Sequence, residues 1–94
     1  MKVYISGDTS GPPQTKFKFE DAEFYLKNNN HIPYNPLKID PSKRNEVLAS
    51  CDAIFLLGDW TQSQESIMEK NIADTTGKKI LFDSLVEENK NLKG

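Results

Sequence analysis

Hydrophobic residues along this chain fall into short continuous runs and into sets with helical spacing. The first run, Lys2 to Ser6, is rich in β-prone residues and stops at Gly7. It predicts a strand followed by a loop rich in glycine and proline. The segment from Gln14 to Asn29 predicts an amphipathic helix, because apolar residues recur at three- and four-residue intervals: Phe19, Ala22 and Leu26.

The middle of the chain predicts an edge strand and a short helix. His31 to Tyr34 is a short apolar segment that contains Pro33. Because proline cannot donate a hydrogen bond to a neighbouring strand, this segment suits the edge of a sheet. Pro41 suits the first position of a second helix, whose apolar side ends at Cys51.

A continuous apolar run, Ala53 to Leu57, then predicts a strand covered on both faces, as in the centre of a parallel sheet. Ser63 suits the cap of a third helix that runs to Thr76 and ends at Gly77. Lys79 to Phe82 predicts the last strand. Beyond Asp83 the chain is polar and charged, so a final helix there would be frayed.

This order of elements predicts the fold class. Alternating strands and helices with short connections favour an α/β fold, a small flavodoxin-like, doubly wound sheet of about four parallel strands with helices on both faces. At 94 residues the chain is expected to form one domain, residues 1–94, with a tail frayed from about residue 84. Such sheets bind ligands beyond the carboxyl ends of their strands. Those ends are the Ser6–Gly11 loop, the Asn35-Pro36 corner and the Gly58–Ser66 loop.

Charge and cysteine content narrow the classes of partner. The net charge of −2, from 12 basic and 14 acidic residues spread along the chain, argues against binding of a nucleic acid polymer, which needs a basic surface. A single cysteine and no recognisable signal peptide favour a location in the cytoplasm. Since no long apolar run is present, we expect no membrane partner. A small core leaves Phe17, Phe24 or Tyr25 without obvious cover, so we expect a homodimer.

The loop after the first strand offers hydroxyls and backbone amides at a strand end. Such groups can hold a sugar or a phosphate, although the same composition is typical of a plain connecting loop. The candidate binding residues here are Ser6, Gly7, Asp8, Thr9 and Gly11.

The loop after the apolar strand adds a second set of candidate binding residues: Asp59, Trp60, Ser63 and Ser66. The two serines lie near a helix start, where they can bind an anion or only cap the helix. The indole of Trp60 can stack on a ligand or anchor the loop in the core.

Two carboxylates follow on the third helix. Glu65 and Glu69 are four residues apart and share a helix face, so they are either two solvated carboxylates or a pair of which Glu69 lines the pocket as nucleophile or base. Replacing Glu69 with alanine is expected to leave the fold intact and the melting temperature unchanged or higher, because the change costs little helix propensity at a helix surface and relieves repulsion from Glu65. No cluster of cysteine and histidine suggests a metal site, no cofactor is predicted, and Cys51 fits a buried small hydrophobe.

Several short segments in a fixed order resemble the DUF4406 family, within the nucleoside 2-deoxyribosyltransferase-like superfamily. The resemblance covers Val3 to roughly Phe82 and lies in the ordered set, since no single motif is diagnostic. Its segments are Val3-Tyr4-Ile5-Ser6-Gly7, Asn35-Pro36, Cys51-Asp52-Ala53-Ile54, Trp60-x-x-Ser63 and Glu69-x-x-x-Ala73.

The resemblance implies an enzyme that acts on the N-glycosidic bond of deoxynucleosides or their 5′-monophosphates, as a transferase or a hydrolase. Glu69 matches the glutamate nucleophile of the superfamily, and Ser63 matches a serine that contacts phosphate in members acting on monophosphates. The Ser6–Gly11 loop matches the segment around the sugar and phosphate.

Three residues that depart from the family pattern, together with a short segment between Asn35-Pro36 and Asp52, keep other functions open. Glu65 stands where glycine is usual, Arg44 where the enzymes carry an aspartate, and Asp8 where proline is common. The first alternative is therefore a catalytically inactive nucleotide- or nucleoside-binding module of the same fold. The second is a small phage-related interaction protein with a vestigial pocket.

Overall fold

The computed structural model describes residues 1–83, so the helix expected beyond Asp83 lies outside the described residues. The strands are β1 Lys2–Ser6, β2 Ile32–Tyr34, β3 Ala53–Leu56 and β4 Lys79–Phe82. The helices are α1 Thr15–Asn28, α2 Arg44–Ser50 and α3 Gln64–Thr75. Single 3₁₀ turns, which the sequence did not predict, occupy Pro36–Lys38, Pro41–Lys43 and Trp60–Gln62.

The four strands form one parallel sheet in the order β2-β1-β3-β4. The predicted α/β class is confirmed, and β2, which contains Pro33, lies at an edge as expected. The chain leaves β1 toward one edge of the sheet, returns to β3, and continues to the other edge. The strand order therefore reverses between β1 and β3, and the carboxyl ends of these two strands flank the crevice where doubly wound sheets bind ligands.

One face of the sheet packs against α1. Val3 and Ile5 point to this face from β1, and Phe55 joins them from β3 because it lies beside Ile5 in the parallel register. Phe19 and Leu26, seven residues apart on α1, are buried against them. The helical period therefore identified the packed face of α1 correctly.

The opposite face packs against α2 and α3. Tyr4, Ile54 and Leu56 belong to one buried cluster with Leu48 of α2 and Ala73 of α3. Helices thus cover both faces, and the doubly wound arrangement is confirmed. Because side chains alternate along a strand, Ser6 lies on the same face as Tyr4 and points toward α3.

The second helix begins later than the sequence predicted. Pro41 opens a 3₁₀ turn, in which Asp40 Oδ1 accepts a hydrogen bond from the Ser42 backbone N–H at 3.0 Å, and α2 itself begins at Arg44. Proline at this position supports either kind of helix start, so sequence alone did not separate the turn from the helix. Among residues 1–83, no helix is long and apolar enough to cross a membrane.

Candidate functional site

Glu69 is a buried carboxylate at the carboxyl edge of the sheet. It is only 4 % exposed, whereas the side chain of Glu65, one turn earlier on α3, is 45 % exposed. The two glutamates therefore do not form a shared solvated face. Of the two readings open from the sequence, the structure supports the one in which Glu69 points inward.

Both carboxylate oxygens of Glu69 accept hydrogen bonds from β1. The Tyr4 hydroxyl donates to Oε2 at 2.9 Å and the Ser6 hydroxyl donates to Oε1 at 2.6 Å. The Ser6 and Ser66 hydroxyl oxygens are also 2.6 Å apart. Since Ser6 gives its one hydrogen to Glu69, Ser66 is the donor to Ser6. We call these four residues, Tyr4, Ser6, Ser66 and Glu69, the Glu69 cluster.

Two simple periodicities assemble this cluster. Tyr4 and Ser6 are two residues apart on β1, so both point to the face covered by α3. Ser66 and Glu69 are three residues apart on α3, so both point back at the sheet. All four side chains are buried, and no buried side-chain nitrogen or oxygen among the described residues lacks a hydrogen-bond partner.

Burial dominates the electrostatics of the cluster. It raises the pKa of Glu69 above the usual range of a glutamate, although the hydrogen bonds from Ser6 and Tyr4 oppose this. Glu65 adds to the rise, and the Arg44 guanidinium acts against it. Burial and the neighbouring Glu69 carboxylate also raise the pKa of Tyr4 far above that of an ordinary tyrosine. Tyr4 therefore stays protonated and remains a donor.

Arg44 and Glu65, two of the three departures from the family pattern, bind each other. Arg44 Nη1 lies 3.2 Å from Glu65 Oε1, and Arg44 Nε donates to the Pro36 carbonyl oxygen at 3.1 Å. The pair connects the end of β2 and the start of α2 to the start of α3. Sequence reasoning noted both residues but missed the contact, because they lie 21 positions apart.

Ser63 caps α3. Its hydroxyl oxygen accepts a hydrogen bond from the Ser66 backbone N–H at 3.2 Å, and its side chain is almost completely buried. The capping interpretation of this serine is therefore confirmed. The cap also orients the first turn of α3, from which Ser66 projects into the Glu69 cluster.

The loops after β1 and β3 meet through their aspartates. The Asp8 backbone N–H donates to Asp59 Oδ1 at 3.5 Å, and Lys18 of α1 pairs with Asp59 Oδ2 at 3.4 Å. Asp8 accepts hydrogen bonds from Ser10, which lower the pKa of its carboxyl group. Gly7 lies so close to Leu57 that an added Cβ would be 2.7 Å from its Cδ1, which explains the glycine.

The remaining candidate binding residues make no described hydrogen bond to the Glu69 cluster. Thr9 is half-buried and Gly11 is exposed, beside Thr15, and no described hydrogen bond joins either to Glu69. Trp60 lies in the 3₁₀ turn before α3 and packs, partly buried, against the hydrophobic cluster that contains Tyr4. An anchoring role for Trp60 is therefore visible in the structure.

The cluster holds the Glu69 carboxylate in place and leaves part of its hydrogen-bonding capacity unused. Each carboxylate oxygen of Glu69 has one protein donor and keeps further lone-pair capacity. Two donors on fixed strand positions hold the carboxylate in one orientation, as an attacking group requires. In the described part of the chain, no group of three or more histidine, cysteine or acidic side chains is placed to hold a metal ion.

Tyr4 is the member of the cluster that sequence reasoning missed. It belongs to the first strand and to the first segment of the family resemblance, and its position two residues before Ser6 places it on the same face of the sheet. What the sequence did not contain was the identity of the helix covering that face.

Comparison with known proteins identifies a family but no individual relative. The family described as "Domain of unknown function (DUF4406)" matches residues 1–82, the extent over which the motifs suggested the resemblance. Neither the comparison with curated proteins nor that with solved structures finds a match.

Proposed function

Since the chain belongs to the DUF4406 family of domains of unknown function, we propose its function from its own site and from its resemblance to the nucleoside 2-deoxyribosyltransferase-like superfamily. The protein is an N-glycosidic-bond enzyme, of deoxyribosyltransferase or hydrolase type. It acts on deoxynucleosides or their 5′-monophosphates, with Glu69 as the nucleophile.

The observation that carries this proposal is the orientation of a buried Glu69 carboxylate by Tyr4 and Ser6. It lies beside the carboxyl ends of β1 and β3, where doubly wound sheets bind ligands. A carboxylate whose charge is opposed by burial and whose two oxygens are both held by hydroxyls, at a ligand-binding edge of the sheet, is a candidate for a functional group.

The chemistry follows that of a retaining glycosidase. One Glu69 oxygen bonds to C1′ of the sugar while the bond from C1′ to the base breaks, and the electron pair leaves with the base, which takes a proton from water. In hydrolysis, a water oxygen then bonds to C1′, loses a proton to solvent and releases the Glu69 carboxylate. In transfer, the nitrogen of a second base takes the place of that water.

The hydroxyls of the cluster control the charge on Glu69. Their hydrogen bonds stabilise the ionised carboxylate, which the first step requires, against the burial that raises its pKa. As the carboxylate becomes an ester, Tyr4 and Ser6 keep it facing the sugar. The proposal assigns the rest of the sugar site to the candidate binding residues of the two loops, with Ser66 shared between them and the cluster: Gly7, Asp8, Thr9, Gly11, Asp59, Trp60, Ser63 and Ser66.

A second candidate function is a nucleoside-binding module of the same fold without catalysis. It is favoured by the low exposure of Glu69, 4 %, which leaves little room for attack on a sugar, and by the Arg44–Glu65 pair, which has replaced family-typical residues. In this case ligand binding would be retained without release of base.

Chromatographic detection of free base tests the two functions. The wild type, Glu69→Gln and Tyr4→Phe are incubated with a panel of deoxynucleosides and their 5′-monophosphates. Glu20→Gln, which removes an exposed carboxylate from α1, is the matched control. We expect Glu69→Gln to lower the rate of base release by at least about a thousandfold, Tyr4→Phe to lower it less, and the control to match the wild type.

Three results would decide against this proposal in different ways. Base release that survives Glu69→Gln would refute the nucleophile. Calorimetric binding without base release in the wild type would favour the binding module. Absence of both would leave the vestigial interaction protein.

The proposal also includes a cytoplasmic homodimer. Phe17, Phe24 and Tyr25 of α1 are all exposed, as the homodimer requires, and Cys51 is a free, buried thiol compatible with a reducing compartment. Burial raises the pKa of that thiol, so it is a poor nucleophile.

A further inference from the structure

The Arg44–Glu65 ion pair lies close enough to the Glu69 cluster to act on it electrostatically. Glu65 raises the pKa of both Glu69 and Tyr4, and Arg44 lowers it, each less than burial and the hydrogen bonds within the cluster do. Glu65 belongs to the first turn of α3, one turn before Glu69 and on the same helix face. The pair therefore borders the cluster on the side of α2 and β2.

The Arg44 guanidinium is held by acceptors within the protein and is largely withdrawn from solvent. Its side chain is only 13 % exposed, and its Nε and Nη1 groups bind the Pro36 carbonyl and Glu65. Glu65 supplies the anionic partner that a phosphate would otherwise supply to such a guanidinium. Being in the first helical turn, the Glu65 carboxylate is also stabilised by the helix dipole.

The loops on the other side of the cluster provide no compensating positive charge. They contain no lysine or arginine and contribute the carboxylates of Asp8 and Asp59, and Lys18 of α1 is already paired with Asp59. A phosphate dianion at this edge of the sheet would face these carboxylates and Glu69 together. An uncharged hydroxyl would not be repelled.

Building on the proposed function, we propose that the Arg44–Glu65 pair is a specificity determinant, through which the site accepts nucleosides with a free 5′-hydroxyl and rejects their 5′-monophosphates. The internal carboxylate of Glu65 takes the place of the ligand's phosphate. Removal of Glu65 alone would release the guanidinium of Arg44 and create a phosphate-binding group. Removal of both charges would take that group away again.

Isothermal titration calorimetry with the deoxynucleosides and their 5′-monophosphates tests this assignment. The proteins are the wild type, Glu65→Gln, Glu65→Gly, and the double variant Arg44→Gln/Glu65→Gln, with Glu20→Gln as the control for loss of one carboxylate. Because Glu65 is substantially exposed, its two single variants are expected to fold. Circular dichroism verifies the fold of every protein in the set, including the double variant, which also loses the largely buried Arg44 guanidinium.

In the wild type, we expect a nucleoside to bind at least about tenfold more tightly than its monophosphate. Glu65→Gln and Glu65→Gly should each strengthen binding of the monophosphate relative to that of the nucleoside by about tenfold or more. The double variant should return the ratio of the two affinities toward the wild-type value, and Glu20→Gln should leave it unchanged.

Equal or tighter binding of monophosphates to the wild type would overturn the specificity assignment while leaving a nucleotide site in place. The assignment is also overturned if Glu65→Gln changes the ratio of nucleoside affinity to monophosphate affinity no more than Glu20→Gln does. If neither ligand class binds to any of these proteins, the proposed function itself fails, and the specificity assignment fails with it.

Discussion

Glu69 behaves differently from a residue on a solvated helix face. The expectation that Glu69→Ala would preserve or raise the melting temperature assumed an exposed side chain, and the structure contradicts that assumption. Alanine would leave the Tyr4 hydroxyl without its acceptor and open a cavity beneath α3. Glutamine fills nearly the same volume and keeps one acceptor oxygen.

We therefore predict that Glu69→Gln is more stable than Glu69→Ala by about 1–3 kcal/mol. The measurement is the free energy of unfolding in urea at neutral pH. At an exposed position, these two variants would differ by less than about 0.5 kcal/mol. A difference that small would contradict the burial of Glu69.

The raised pKa of Glu69 predicts a specific dependence of stability on pH. Between its ordinary value of 4.5 and its higher value in the folded protein, the folded state binds a proton that the unfolded state does not. The free energy of unfolding therefore increases as pH falls through this window and decreases as pH rises through it.

Urea unfolding of the wild type and Glu69→Gln across this pH range measures the effect as a difference. The carboxyl groups of Asp8, Glu23 and Asp40 have lowered pKa values, so their protonation destabilises the folded state at low pH. This loss is the same in both proteins and therefore cancels in the difference between their free energies of unfolding. A wild type that loses stability relative to Glu69→Gln on acidification would contradict the prediction.

At the scale of elements, the first turn of α3 connects fold and site. Ser63 caps this helix, Ser66 and Glu69 project from it into the cluster, and Glu65 binds Arg44 from it. The geometry of the site therefore depends on where α3 begins.

Loss of the cap should destabilise the protein without removing any member of the cluster. We predict that Ser63→Ala lowers the free energy of unfolding by about 1 kcal/mol, because the Ser66 backbone N–H loses its acceptor. Ser63→Thr, which keeps a capping hydroxyl, serves as the matched variant in thermal or urea unfolding. Equal stability of the two variants would show that the cap contributes nothing.

At the scale of the whole molecule, the outer face of α1 is the surface through which we expect two copies of the chain to associate. Phe17 and Phe24 are seven residues apart on one helix face and are 55 % and 68 % exposed. Tyr25 is partly engaged, since its ring lies 5.8 Å from that of Phe55. The two phenylalanines are therefore the apolar groups that a second copy would cover.

We predict that the protein is a dimer at micromolar concentration, with a mass by light scattering of about twice 10.7 kDa. Phe24→Lys should shift it toward the monomer. Met68→Lys, which changes an equally exposed apolar residue on α3, should leave the dimer intact. A wild-type mass of one chain would refute the dimer.

The sequence by itself determined the elements and the faces they bury. Apolar spacing placed α1 and β4 to within one residue, Pro33 placed β2 at an edge, and Ser63 marked the start of α3. These features depend on neighbouring residues, whose periodicity and backbone preferences are written directly in the chain.

Only the tertiary structure decided which of these residues meet. Tyr4 and Glu69 are 65 positions apart, and Arg44 lies near Glu65 only because α2 and α3 cover the same face of the sheet. Spacing on one element cannot reveal such contacts, because they depend on strand order and on the handedness of the crossovers. The burial that separates Glu69 from Glu65, and so gives two similar carboxylates different chemistry, arises in the same way.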